Sequence, residues 1–140
     1  MSYKIVYSHH VGHWVASKTD GMYSEGQSAA IGLERDGSVV AGVIYENWNG
    51  KSVVCHIAVS ARITKEYLAF IFEYAFNVLN VWKVIAPVYS DNTKARKLVA
   101  NMGFSDECVI QDASPNGDIV CCTMTKKNCK FLGARYGKNR

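Results

Sequence analysis

Proline is scarce in this chain: two in 140 residues, Pro87 and Pro115. No proline-, glycine- or serine-rich linker divides it, and no repeat or low-complexity segment occurs, so it reads as one unit. No C-x-x-C occurs among its five cysteines, Cys55, Cys108, Cys121, Cys122 and Cys129. Their odd number and spacing indicate neither a disulfide framework nor a zinc ribbon. Reduced thiols in a cytoplasmic protein are the expectation. No apolar run is long enough to span a bilayer, and Met-Ser-Tyr-Lys-Ile-Val at the start lacks the pattern of a signal peptide. No membrane partner is therefore expected.

Acidic residues are missing from Lys126 to Arg140, where six basic side chains fall. The net charge is +4, so the remainder stands at about −2. We expect one domain over 1–125 and a basic tail over 126–140. The tail matches no nucleic-acid-binding module, so nucleic acid is not the expected partner.

Hydrophobic residues make up 49% and charged residues 20%, ordinary for a globular domain with a sizeable core. Tyr3 to Tyr7 alternates as a first strand. His9 to Lys18 reads as a short helix ended by Thr19-Asp20-Gly21. Ala29–Glu34 and Val39–Trp48 are strands joined at Asp36-Gly37. Asn49-Gly50 reads as a tight type I′ hairpin turn into Lys51–Val59. Thr64 caps a helix running to about Asn80. Leu68, Ile71, Phe72, Ala75 and Leu79 form one apolar stripe on it, and Tyr67, Phe70, Tyr74 and Val78 a second. So wide an apolar arc calls for cover on two sides, by the sheet and by another helix or a second copy of the chain, a homodimer. Val81–Tyr89 follows as a strand and, with a helix intervening, can lie parallel to Lys51–Val59. A helix from Asn92 to Met102 comes next. Phe104–Ile110 and Ile119–Thr125 close the chain as a hairpin through Pro115-Asn116-Gly117. The fold class is α/β, a mixed and mostly antiparallel sheet with one central parallel pair, flanked by helices.

The most telling stretch is Asn92 to Phe104. Ala95, Leu98, Val99 and Met102 share one helical face, Lys94, Arg96 and Lys97 leave another basic, and Gly103 ends the helix before Phe104. The pattern N-x-x-A-x-x-L-x-x-x-x-G-F after a strand resembles the cofactor-side helix of the GNAT acyltransferases. Phe76-Asn77-x-Leu79 before the strand and Asn92 after it are similar to a divergent branch of small phage-type and bacterial members. With the element order, the resemblance covers about Tyr3 to Thr125.

The resemblance implies an N-acetyltransferase that moves an acetyl group from acetyl-CoA to a primary amine by direct attack in a ternary complex. It implies that Lys51–Val59 and Val81–Tyr89 splay apart. The main chain of Ile57 and Val59 would then bond the pantetheine arm, and Asn92 would add its amide. The pyrophosphate would sit at the helix start after Ser60, near Arg62, Ile63, Thr64 and Lys65. Arg62 stands where the common Q/R-x-x-G-x-G/A loop begins, but its glycines are absent. Lys97 could reach the nucleotide phosphates. The tyrosine that many members carry after the helix leucine is here Val99, so Tyr89 and Ser90 are the nearest hydroxyl acids.

His56, in an otherwise apolar strand, is the candidate base, because an imidazole titrates near neutral pH. Glu46 is a second candidate. Cys55, adjacent to His56, suggests an acyl-cysteine route, but strand neighbours point to opposite faces. His9 and His13 lie one helical turn apart. Two such ligands do not make a metal site without a third, so no metal is expected; they are candidates to line the acceptor pocket. The acceptor, a small molecule or a protein amine, is not legible. The rival reading is a GNAT-fold module that binds coenzyme A, or a protein, without catalysis.

Overall fold

The computed structural model describes residues 2–19 and 21–132. Seven strands and three helices follow one another as β1 (Tyr3–Val6), α1 (His9–Lys18), β2 (Ala29–Arg35), β3 (Ser38–Glu46), β4 (Ser52–Val59), α2 (Lys65–Glu73), β5 (Lys83–Tyr89), α3 (Thr93–Met102), β6 (Ser105–Ser114) and β7 (Gly117–Thr125). The strands form one sheet in the order β1-β2-β3-β4-β5-β7-β6. Only β4 and β5 run parallel; every other neighbouring pair is antiparallel. Among the described residues no helix is long and apolar enough to cross a membrane.

Local chemistry accounts for most element ends. Thr64 caps α2 by accepting from the Tyr67 N–H at 3.1 Å. Asn92 caps α3 by accepting from the Ala95 N–H at 3.1 Å. Gly103 closes α3 at φ 105°, the left-handed conformation a helix end favours.

Three expectations need correction. Asn49-Gly50 does not form a type I′ turn. That turn needs positive φ at both central residues, and only Gly50 of the pair has it. Instead Asn49 Oδ1 accepts from the N–H groups of Lys51 and Ser52 at 2.9 and 2.8 Å, and Asn47 takes the left-handed conformation. It is Asp36-Gly37, both at positive φ, that joins Arg35 to its partner Ser38.

The long helix is not α-helical throughout. After Glu73 it widens into a π turn over Tyr74–Val78, where the Leu79 N–H reaches the Tyr74 carbonyl at 2.8 Å. Its second apolar stripe is covered within the chain rather than by another helix. The Tyr67 hydroxyl donates to the Ile31 carbonyl at 2.8 Å. Phe70 packs on Tyr7, and Tyr74 on Tyr45. Val78 alone of that stripe stays exposed.

Packing also runs past Thr125. Lys126–Asn128 form a 3-10 turn, and beyond it Cys129 and Phe131 are buried. Phe131 stacks on Phe72, with ring centres 4.9 Å apart and planes at 11°. The expected boundary after Thr125 therefore cuts through the core; residues 133–140 of the basic tail lie outside the described residues. The core splits by face. The larger cluster joins the sheet to α2 and α3, and a smaller one (Val11, Val15, Ala30, Ile44, Ala58) joins it to α1.

Phe131→Ala removes a buried ring and should cost about 3 kcal/mol of stability. Urea unfolding read by fluorescence measures it, and a change within error would show that the segment after Thr125 is no part of the core.

Candidate active site

The site begins with a ladder that stops. β4 and β5 are in register at Ser52↔Lys83, Val53↔Val84 and Val54↔Ile85 and nowhere beyond. Yet β4 stays paired to β3 as far as Val59↔Ala41, and β5 to β7 as far as Tyr89↔Ile119. Two zipped half-sheets thus share three rungs and diverge.

Hydrogen-bond direction shows what the divergence exposes. The Ser60 N–H donates to the Val40 carbonyl, which continues the β3–β4 register. Antiparallel bonding repeats every second residue, so Val54, His56 and Ala58 turn their backbone groups to β3. Cys55, Ile57 and Val59 turn theirs to β5. On β5, Ser90 donates to Asp118 and the Lys126 N–H reaches Trp82, one bond beyond each end of the β5–β7 ladder. Val84, Ala86 and Val88 therefore face β7, and Lys83, Ile85 and Pro87 face β4. The parallel ladder starts with the Lys83 N–H on the Lys51 carbonyl. Its pattern next uses Ile85 on Val53 and then requires Pro87 on Cys55. Proline has no N–H, so that rung cannot form. Past it, the backbone groups of Ile57 and Val59 look into open space.

That space is a cleft of about 180 Å³. Its walls are β4 from Cys55 to Ser60, β5 from Ala86 to Val88, Asn92, Lys94, Ala95, Leu98 and Val99 beside α3, and Trp14, Lys18 and Thr19 from the end of α1. The Cys55 side chain belongs to the core on the α2 side of the sheet. Burial pushes its thiol up to about 12, which keeps it protonated and unreactive near neutral pH.

His56 lies on the opposite face, 9% exposed, with Nε2 2.8 Å from Glu46 Oε2. Ile44 is the register partner of His56 and Val54 that of Glu46, so the pair is a same-face diagonal. With Nε2–H donated to Glu46, Nδ1 keeps the lone pair. Gly21 covers the ring so closely that a Cβ there would stand 2.5 Å from His56 Cγ.

The other candidates are scattered around this centre. Asn92 lines the cleft; its oxygen is committed to the α3 cap, which leaves its amide N–H groups as donors. Arg62 and Lys65 are exposed at the start of α2, with Ile63 and Thr64 half-buried between them. Lys97 is exposed and outside the cleft, whereas Lys94 lines it. Helical spacing could have singled out Lys94, which sits four residues before the cleft residue Leu98. Trp14, Lys18 and Thr19 carry no sequence signal. Neither Tyr89 nor Ser90 is among the cleft-lining residues. Ser90 Oγ accepts from the Asp118 N–H at 3.0 Å, which ties it to the β6–β7 hairpin. The two hydroxyls that do line the cleft are committed to carbonyls, Thr19 to Val15 at 3.0 Å and Ser60 to Val40 at 3.2 Å. His9 and His13 meet different partners, the Tyr23 hydroxyl at 2.6 Å and Glu25 at 2.8 Å. Both rings also pack on Tyr23, so they brace the loop after α1.

Gly21→Ala must displace either the loop or the His56 ring. If His56 is the base that the sequence suggests, turnover in an acyl-transfer assay should fall about tenfold or more, because a positioned base contributes roughly 10²–10⁴-fold. Far-ultraviolet circular dichroism should not change. Full activity would show that His56 needs no close cover.

No protein-family profile matches the sequence, and no curated protein does. Solved structures do. A probable acetyltransferase superposes with TM-score 0.61 at 19% identity over 74% of this chain; the match spans 63% of that protein, less than two thirds of its length. Mutant forms of the spermidine/spermine N-acetyltransferase SpeG from Vibrio cholerae superpose with TM-score 0.70 at 12% identity, over 90% of this chain and 96% of theirs. A chimera of SpeG from Vibrio cholerae and hSSAT gives TM-score 0.71 at 13% identity, over 95% and 100%. These likenesses, with the seven-stranded sheet and its one parallel pair, show that this chain has the GNAT acetyltransferase fold.

Proposed function

We propose that the protein is an acetyl-CoA-dependent N-acetyltransferase, in which a primary amine attacks the thioester directly in a ternary complex. The observation that carries this reading is the wedge between β4 and β5, whose open wall is a row of unpaired peptide groups. Buried N–H and C=O groups need partners, and the amides of a pantetheine arm supply them. Ile57 and Val59 bond that arm as a neighbouring strand would, and Asn92 donates its amide N–H groups from the opposite wall.

The anionic end of the donor goes to the start of α2. The first N–H groups of a helix have no partner within it, and here Thr64 satisfies only that of Tyr67. Those of Lys65 and Glu66 stay available, with Ile63 leading the chain into the turn. Arg62 and Lys65 bring positive charge, which outweighs the single carboxylate of Glu66. Lys94 serves the phosphates from the cleft wall, and Lys97 is placed only to add to the field outside it.

His56 holds the proton chemistry. Glu46 orients the ring through Nε2, and Nδ1 takes a proton from the attacking amine directly or through a water. An N–H of β4 facing the wedge polarises the thioester carbonyl. Val99 is buried where a tyrosine acid would stand, and the cleft hydroxyls are committed, so no hydroxyl in it is free to protonate the leaving thiolate. The ammonium groups of Lys18 and Lys94 offset its charge instead, and Tyr89 or Ser90 would have to move to take part. That gap favours one rival reading, a coenzyme A-binding module without catalysis.

One measurement tests what these readings share and a second separates them. Acetyl-CoA should raise the melting temperature under both. Release of free thiol with a panel of amines that includes spermidine and spermine should occur only for the enzyme. Arg62→Ala should weaken acetyl-CoA binding several-fold in calorimetry with turnover at saturation retained. His56→Ala should reverse that pattern, lowering kcat with the dissociation constant nearly unchanged. No heat of binding and no stabilisation by acetyl-CoA would overturn the proposal.

A further inference from the structure

We propose that Cys108 and Cys121 form a modification site: a cross-strand dithiol that a low-molecular-weight disulfide oxidises to an intramolecular bridge between β6 and β7. The two are register partners in the antiparallel β6–β7 pair. On β7, Val120 and Cys122 turn their backbone groups to β5, so Cys121 turns its own to β6, and the Cys108–Cys121 pair is of the hydrogen-bonded kind. The register slips by one residue at Glu107, so the pair adjoins a β-bulge; opposed Cα atoms in antiparallel strands stand about 4.5–5.5 Å apart. A disulfide accepts roughly 4.4–6.8 Å and is commonest near the middle of that range. Directly opposed residues share a face, which sets the two thiols side by side.

Access and chemistry agree with this geometry. Cys108 is exposed and Cys121 half-buried, whereas Cys55, Cys122 and Cys129 are buried. Among the described residues α1 packs on β2, β3 and β4, and no helix packs comparably on the β7–β6 end of that face. The Cys108 thiolate attacks one sulfur of the reagent and expels a thiolate, giving a mixed disulfide. The Cys121 thiolate then attacks Cys108 Sγ and expels the second. Two protein thiols are oxidised, one disulfide is reduced to two small thiols, and the two protons leave with them. Burial, with Cys108 alongside, holds the Cys121 thiol above its ordinary value, so closure accelerates as the pH rises. An exposed bridge of this kind is readily reduced again. This inference is independent of the acyl-transfer reading.

The test uses the full chain, fully reduced, with oxidised glutathione at mildly alkaline pH, followed by intact mass and peptide mapping. The expected result is a loss of two hydrogens, a cross-link joining the peptides that carry Cys108 and Cys121, and recovery with dithiothreitol. Cys108→Ser, a change at an exposed position, should abolish both the mass loss and the cross-link. An unchanged mass, a glutathione adduct that never closes, or a bridge between two chains or through another cysteine would overturn the proposal.

Discussion

The parallel ladder at the middle of the sheet ends because its next rung would draw on an N–H that Pro87 does not possess. β4 and β5 each keep a full set of bonds to their outer neighbours, so each half-sheet holds its own twist and shape. At the seam, three register pairs are all that bind them. Once the Cys55 carbonyl loses its donor, nothing on the β5 side draws the strands together again. The cleft is thus a consequence of where one residue without a donor was placed. A proline is tolerated there because its missing group points to the edge that opens rather than to β7.

The rest of the molecule is arranged around that seam. α3 starts at the mouth of β5 and lines the gap with Ala95, Leu98 and Val99. α1 covers the other face only as far as β4, and its last turn brings Trp14 and Lys18 to the cleft. The chain then returns across the sheet, where Gly21 covers His56 and Tyr23 is held by His9. A histidine that would otherwise be an ordinary half-buried strand residue is thereby fixed by Glu46 on one side and by the main chain on the other. On the proposed reading its Nδ1 is the base, at the end of a slot lined by peptide groups.

Much of this was legible in the sequence, because its punctuation is local. Thr64, Asn92 and Gly103 act through bonds that span a few residues, so the helix boundaries follow from them. Apolar alternation and one intervening helix were enough to place β4 and β5 in parallel. The misses come from choices that depend on the whole. Asp36-Gly37 and Asn49-Gly50 look alike as dipeptides, yet the second lies in a longer loop where the Asn49 side chain collects two amides. The π turn after Glu73 adds one residue to a helical pattern without disturbing its composition. Phe131 follows a run of lysines and is apolar cover for Phe72 only once the sheet has formed. Lys94 and Lys97 belong to one basic face, and the roll of α3 against the seam decides which lines the cleft. Pro87 was in plain view, but its meaning depends on which way its missing donor points, and only the register supplies that.

Amide hydrogen exchange along β4, with and without saturating acetyl-CoA, tests the wedge most directly. The account predicts that Ile57 and Val59 exchange readily in the free protein and slow markedly when acetyl-CoA is added. Ala58, whose N–H is bonded to β3, should be slow in both. If Ile57 and Val59 are already as protected as Val53 without acetyl-CoA, or are unaffected by it, the strands do not part to receive a donor and the account is wrong.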